Sequence, residues 1–389
     1  MAAQVEAYAH ESEDSMAAVA YHVFDDIMCY ADCANARQKV RLVGETLGGV
    51  IVVPAGRRDL IPPEVKARVL EVPCQSRGIF ASVRLVSLLR NKICCWCEEV
   101  SNEKSLLRVI VLSLFSRVPV VAFCWDPPGM TVRDKSDPIS RIRVWVLDLL
   151  FCLAVKMSRG CIMNLHPGFL HGWLGNNCRG KVYSYPNGTT LLKNRKYAES
   201  FKKVPKRFVV ACRMNKHKGC CEIIKFFTEL YERDNGVSLI WIGGGEIEKV
   251  RQAIAEAGVP IENVIMTGAL PRDEALKYVA TASFGLNIYS DVPSLRWNYV
   301  LKAPEFLSFG LPIVTNDLPG ICEYAVDGET GVVFADGDIS SGVRKTLELL
   351  SDDLRYIYMS RKCLERASRY DWEKINDDIA SRIRDMVGD

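Results

Sequence analysis

The chain has 389 residues, 49% of them apolar and 25% charged, and carries a net charge of +3. That length is too great for one hydrophobic core and suits two domains, with the composition of an ordinary globular protein. The basic residues are dispersed rather than striped and no nucleic-acid motif is present, so no nucleic acid is expected among its partners.

The fifteen cysteines mostly sit inside apolar runs, as at Cys124, Cys152, Cys161 and Cys212, and read as small buried hydrophobes. Cys94, Cys95 and Cys97 contain a single C-x-x-C pair with no second pair at zinc spacing, so no metal site is expected. An odd cysteine total without a secretory signal points to a reducing compartment and a cytoplasmic protein.

Residues 1–15 are acidic and polar and read as a disordered leader. Residues 16–190 alternate strand and helix patterns and form the first domain, with strands at 50–54 and 118–124. The second of these runs into Trp125-Asp126-Pro127-Pro128-Gly129, a loop at a strand's carboxyl end, where open α/β sheets carry function. Asp126 there can orient a sugar hydroxyl or take an acceptor's proton; the plainer reading of Asp-Pro-Pro-Gly is turn chemistry. The apolar run 144–155 falls short of the roughly 20 residues of a membrane span. It contains Asp148 and is flanked by Arg141, Arg143 and Lys156. It is either a core helix or a basic amphipathic helix making a peripheral contact with the inner membrane surface. His166 follows a strand at 161–164, and such loop histidines are usually structural. The strand at 182–185 and the turn Pro186-Asn187-Gly188 close this domain.

The polar, basic stretch 191–206 reads as a linker, and 207–370 as the second domain. It opens with a strand at 208–212 followed by Arg213-Met-Asn-Lys-His-Lys218-Gly219 and a helix from Cys220. Two cations across a strand-to-helix turn, with a helix N-terminus aimed at the same place, can converge on one diphosphate. Gly243-Gly244-Gly245 ends the next strand and allows close backbone approach, though it does not fit the dinucleotide fingerprint. A strand at 264–267 leads into Gly268-Ala-Leu270-Pro271, and a helix covers 272–282.

Residues 298–331, NYVLKAPEFLSFGLPIVTNDLPGICEYAVDGETG, organise this half. They read as a helix, a Gly-Leu-Pro turn and a buried parallel strand whose polar loop lies where such folds bind ligands. Glu305 can accept two hydroxyl hydrogen bonds from a ribose. Lys302, one turn earlier on the same face, adds a third cation beside the diphosphate or pairs with Glu305. Residues 371–389 form an amphipathic helix.

Lys302-x-x-Glu305 with the glycine- and proline-marked segment after it, joined to Arg213 and Lys218 upstream, resembles the donor-site signature of the family-4-type retaining glycosyltransferases, the glycosyl transferases group 1. The resemblance implies the GT-B fold, an α/β architecture of two Rossmann-like doubly wound domains facing each other across a cleft. It also implies that residues 371–389 pack back on the first domain and that Pro186-Asn187-Gly188 is the hinge. A nucleotide-diphosphate sugar would be the donor, a saccharide or lipid-linked molecule the acceptor, and transfer would retain anomeric configuration.

By that resemblance Arg213 and Lys218 hold the leaving diphosphate in place of a metal, and no cofactor is needed. Glu305 would hold the ribose, Gly268 and Leu270 the base, and Lys302, Pro319, Gly320, Ile321 and Glu323 the rest of the donor. Many members carry two glutamates separated by seven residues, and here Trp297 occupies the first position. Many also carry a histidine where this chain has Trp125-Asp126. These departures keep open a non-catalytic glycosyltransferase-like binding subunit, beside a sugar phosphorylase or epimerase of the same fold.

Overall fold

A computed structural model describes residues 18–22, 34–58, 61, 63, 65–72, 78–178 and 180–388. Residues 1–15, read as a leader, lie outside these. The chain divides into two compact units, one of residues 1–185 with 373–389 and one of residues 186–372.

The first unit is built on a seven-stranded, all-parallel sheet: β1 (Ala18–His22), β2 (Val50–Pro54), β3 (Arg68–Val72), β4 (Ile93–Val100), β5 (Val120–Cys124), β6 (Gly160–Met163) and β7 (Val182–Ser184). Its order is β3-β2-β1-β4-β5-β6-β7, so the winding reverses between β1 and β4. Parallel strands covered on both faces need continuous apolar runs, and β5 (VVAFC) and β6 (GCIM) are buried at every position. Four helices matter to the argument: α1 (Ala34–Arg41), α2 (Ile79–Leu89), α3 (Glu103–Phe115) and α4 (Pro138–Met157). Asn102 caps α3 by accepting the Ser105 N–H at 3.0 Å, and Asp137 caps α4 through Ser140 at 2.9 Å. Among the described residues no helix is long and apolar enough to cross a membrane.

The second unit repeats the plan with six parallel strands in the order β10-β9-β8-β11-β12-β13. These are β8 (Arg207–Ala211), β9 (Ser238–Ile242), β10 (Val264–Gly268), β11 (Phe284–Asn287), β12 (Ile313–Asn316) and β13 (Gly331–Phe334). The winding reverses between β8 and β11. Its labelled helices are α5 (Cys220–Arg233), α6 (Arg272–Ala280), α7 (Ala303–Ser308) and α8 (Asp353–Ala367). One apolar layer packs Phe208, Phe226, Phe227 and Trp241 on one face of the sheet, and another packs Phe306, Phe309, Leu311 and Tyr324 on the other.

Two boundaries differ from the sequence reading. Residues 191–206 are not a free linker, because Leu191–Ser200 is a helix of the second unit. Its basic composition conceals one inward side: Leu191 is buried, Tyr197 and Phe201 pack on the core, and buried Asn194 donates to Thr189 Oγ1 at 2.8 Å and Ser308 Oγ at 2.7 Å. The first unit therefore ends at Tyr185 rather than at 190. The final helix, α9 (Trp372–Val387), contributes residues 373–387 to the first unit. There Met386 occupies the space beside Gly160, where a Cβ would come within 2.6 Å of its sulfur, and Tyr183 donates to Asp378.

Candidate donor site and a second polar cluster

Ligands of doubly wound sheets bind outside the strand carboxyl ends at the winding reversal. In the second unit that place lies beyond β8 and β11. Arg213 follows β8 and is exposed; Lys218, half-buried, ends a short 3₁₀ turn (Lys216–Lys218). Asn215 caps that turn, its Oδ1 accepting the Lys218 N–H at 3.0 Å. Gly219 then starts α5 at φ +74°, and a Cβ there would meet the Ile288 carbonyl oxygen at 2.0 Å. Only glycine lets the turn press against the end of β11. No side chain caps the first turn of α5, so its partial positive end faces the same region as the two cations.

Neighbouring loops are laced to this one. Met214 N–H donates to the Gly244 carbonyl at 2.8 Å, and Gly243 N–H to the Gly268 carbonyl at 2.9 Å. At Gly243 a Cβ would lie 2.2 Å from the Cys212 carbonyl oxygen. The glycine run thus serves close packing of three loops, which brings Arg213, Gly243–Gly245 and Gly268 into one neighbourhood. Ser290 Oγ, beyond β11, donates to Glu222 at 2.9 Å and fastens the other side.

Glu305 lies at the third position of α7 and is 3% exposed. Its Oε1 pairs with Arg272 Nη2 at 2.7 Å and its Oε2 with Lys302 Nζ at 3.1 Å. Burial by itself pushes the carboxyl's pKa up, but Lys302 and Arg272 together outweigh it and hold it below the usual carboxylate range. The carboxylate is ionised, and its two cations leave lone pairs on its oxygens. Lys302 is paired with Glu305, the second of its two expected roles.

Arg272 escaped the sequence reading. A signal existed: it opens α6, where a cation opposes the helix dipole, and such a placement calls for a tertiary carboxylate.

The remaining donor positions divide. Leu270 packs against the apolar layer around Phe306. Pro319 opens a short helix, Pro319–Cys322, and Gly320 is pressed against residue 298, where a Cβ would meet the Asn298 carbonyl oxygen at 2.1 Å. Ile321 is 1% exposed in the core and its N–H is spent on the Leu318 carbonyl at 3.1 Å. Glu323 accepts from Tyr370 Oη at 3.0 Å through its carboxylate, and at 2.7 Å through its carbonyl, which also accepts from Arg366 at 2.5 Å. Both residues therefore have packing duties within the unit. Trp297 lies beside the Arg296 guanidinium, 5.8 Å from its ring centroid.

In the first unit Asp126 is exposed after β5. The structure adds a cluster that sequence reading missed, at the winding reversal between β1 and β4. Tyr21 Oη donates to Glu99 Oε2 at 2.5 Å, and Lys39, 3% exposed, pairs with Glu99 Oε1 at 3.2 Å. The Lys39 ammonium also stands 4.0 Å from the Trp125 ring centroid, next to Asp126 in sequence. Beneath it Glu98, 1% exposed, binds Arg108 at 2.5 Å and accepts from Trp96 Nε1 at 2.9 Å. The visible signal was Glu98-Glu99 ending the apolar strand ICCWCEEV. His166 accepts the Gly168 N–H at 3.1 Å and caps its own turn. Cys95 and Cys97 are buried, and hydrogen bonding from Cys95 with burial pushes the Cys97 thiol pKa up.

Residues 205–352 match the family model described as Glycosyl transferases group 1. A phosphatidyl-myo-inositol mannosyltransferase of Mycobacterium leprae is 27% identical over 163 residues, 42% of this chain and 41% of that protein. The capsular polysaccharide biosynthesis glycosyltransferase CapM of Staphylococcus aureus is 25% identical over 207 residues, 51% of this chain and 52% of that one. The chain thus spans about half the length of the curated relatives it matches. Among solved structures, Anabaena Alr3699/HepE in complex with UDP superposes with a TM-score of 0.68 at 15% identity, covering 95% of this chain and 100% of that one. Sucrose-phosphate synthase from Thermosynechococcus elongatus gives 0.66 at 15% identity, covering 95% and 99%. At such identities these two establish the fold.

Proposed function

We propose that this chain, a GT-B protein whose second unit carries a group 1 glycosyltransferase domain, moves a sugar from a nucleotide-diphosphate sugar to a saccharide or lipid-linked acceptor. We further propose that transfer retains anomeric configuration, needs no metal, and takes place in the cytoplasm. The observation that carries the reading is the grouping beyond β8: Arg213 and Lys218 on either limb of one turn, in front of the uncapped N-terminus of α5.

Departure of a nucleoside diphosphate leaves negative charge on the phosphate oxygens while the sugar becomes oxocarbenium-like. Two cations and a helix N-terminus stabilise that charge without reorganising, and groups of this kind contribute about 3–4 kcal/mol each. Glu305, kept ionised by Arg272 and Lys302, accepts the ribose hydroxyls, and the backbone of Gly268–Leu270 meets the base. UDP is the nucleotide in the Anabaena complex of the same fold, which makes uridine the first base to try. On the acceptor side Asp126 orients a hydroxyl or takes its proton, with Glu99 and Lys39 as further polar partners.

The test is thermal stability against UDP-, GDP-, ADP- and TDP-sugars, with and without Mg²⁺, followed by transfer to candidate acceptors with the product anomer read by NMR. An excess ligand at about 100-fold over Kd raises stability by about 2.7 kcal/mol. A metal-independent shift with one nucleotide, lost in Arg213→Ala and in Glu305→Ala, is expected. No shift with any of them, or binding without turnover, would favour the non-catalytic reading that Trp297 leaves open.

A further inference from the structure

Every exposed large apolar side chain of the first unit, among the described residues, lies on α2, α3 or α4. These three helices pack side by side, α2 on α3 and α3 on α4, in one layer against the sheet. On α4, Ile139, Ile142, Val146, Leu149 and Leu153 recur at alternating intervals of three and four, which puts them on one face with Trp145 at its edge. The opposite face, with Leu147, Phe151, Ala154 and Val155, is the one buried on the unit. This helix therefore has two apolar faces and only one is covered. The exposed one continues across the layer through Leu107, Leu114 and Phe115 of α3 and Phe80 of α2, and Phe80 is 86% exposed.

Among the described residues, the exposed charge on these helices that has no ion-pair partner is positive: Arg84, Lys104, Arg141 and Lys156. The only carboxylates in the three helices are Glu103 and Asp148, engaged by Arg143 at 2.6 Å and by Arg133 respectively. A second copy docked here about a two-fold axis would bring cations against cations. An anionic bilayer matches both features, since apolar side chains enter the headgroup–acyl boundary while cations reach the lipid phosphates.

We propose that α2, α3 and α4 together form a face by which the protein lies on the surface of an anionic lipid bilayer. Trp145, Ile142 and Leu149 enter the boundary region, Phe80 and Phe115 seat the far side of the layer, and Arg84 and Arg141 rest on headgroups.

Flotation of the full chain with vesicles of phosphatidylcholine, alone or mixed with phosphatidylglycerol, tests this without nucleotide or acceptor, so its outcome is independent of the donor-site reading. Wild type should float with the anionic vesicles, less so at high salt, and remain largely unbound with phosphatidylcholine alone. Ile142→Ser/Trp145→Ser/Leu149→Ser should lower binding by about tenfold or more. Phe80→Ser/Phe115→Ser should lower it severalfold, and Arg84→Glu/Arg141→Glu should remove the preference for anionic lipid. All these side chains are exposed, so unchanged thermal melting certifies each variant as folded. Wild type that fails to float with either vesicle overturns the proposal. So does triple-variant binding equal to wild type, and so does a concentration-dependent dimer in sedimentation velocity that the triple variant abolishes. Loss on α4 with no loss at Phe80 and Phe115 overturns the three-helix face.

Discussion

The two units wind their sheets alike but use buried charge differently. In the first, Glu98 and Arg108 are both nearly inaccessible and bind each other, and Trp96 donates to Glu98. In the second, Glu305 is as buried, yet its cations Arg272 and Lys302 keep 32% and 34% of their side-chain surface in solvent. A sealed pair keeps its remaining member inside the core when the other is removed. A carboxylate held by half-exposed cations can exchange partners with a ligand. The outer surfaces differ in charge pairing: the second unit's helices carry intrahelical pairs such as Arg344–Glu348 and Lys277–Glu274, whereas among the described residues α2, α3 and α4 hold no intrahelical ion pair. Burial alone therefore does not mark a site; the access of the partners does.

The largest effect should come from the sealed pair. Arg108→Ala removes the buried cation that Glu98 binds at 2.5 Å, and urea denaturation should show a loss of about 3–5 kcal/mol. Gly219→Ala tests the other side of the contrast. A left-handed backbone costs a non-glycine residue about 1–2 kcal/mol, and the Cβ would have to displace the Ile288 carbonyl as well. A total loss of about 2 kcal/mol or more is expected, together with the donor-induced thermal shift; a stable variant that binds donor normally would show that the turn does not press on β11.

Glu305→Gln should cost about 1.5 kcal/mol at neutral pH, because Arg272 and Lys302 can return to solvent. The pH dependence has a definite sign. The folded carboxyl is depressed below its unfolded value near 4.3, so its stabilising contribution is fully present above that value. It is lost as pH falls through the folded pKa, and the gap between wild type and Glu305→Gln in denaturant midpoint should close there. A gap that stays constant with falling pH would mean that the cations do not hold the carboxylate. The smallest effect belongs to a surface pair: Arg344→Ala, facing Glu348 across a helical turn, should change stability by less than about 0.5 kcal/mol.

The grouping of the candidate donor residues was legible in the sequence because its signals are local. Arg213, Lys218 and Gly219 follow one strand within a few residues, and Lys302 and Glu305 share one helical turn, so spacing alone brings them together. The parallel sheets were legible for the same reason, since a strand covered on both faces must be continuously apolar. Arg272 was not read because its carboxylate lies 33 positions further on, 305 against 272, and only the packing of α6 into the apolar layer around Phe306 joins them. The helix Leu191–Ser200 was hidden by average composition, since a few inward residues among basic ones look like a linker until a core exists to receive them.

By itself the sequence determined the two doubly wound sheets, their polar loops at strand ends, and the cation pair before α5, all set by periodicity and turn chemistry within about thirty residues. Only the tertiary structure decided which buried charges are sealed and which stay accessible. It also decided which apolar faces remain uncovered: periodicity marks a helix as apolar, but the neighbouring elements determine how many of its faces are taken.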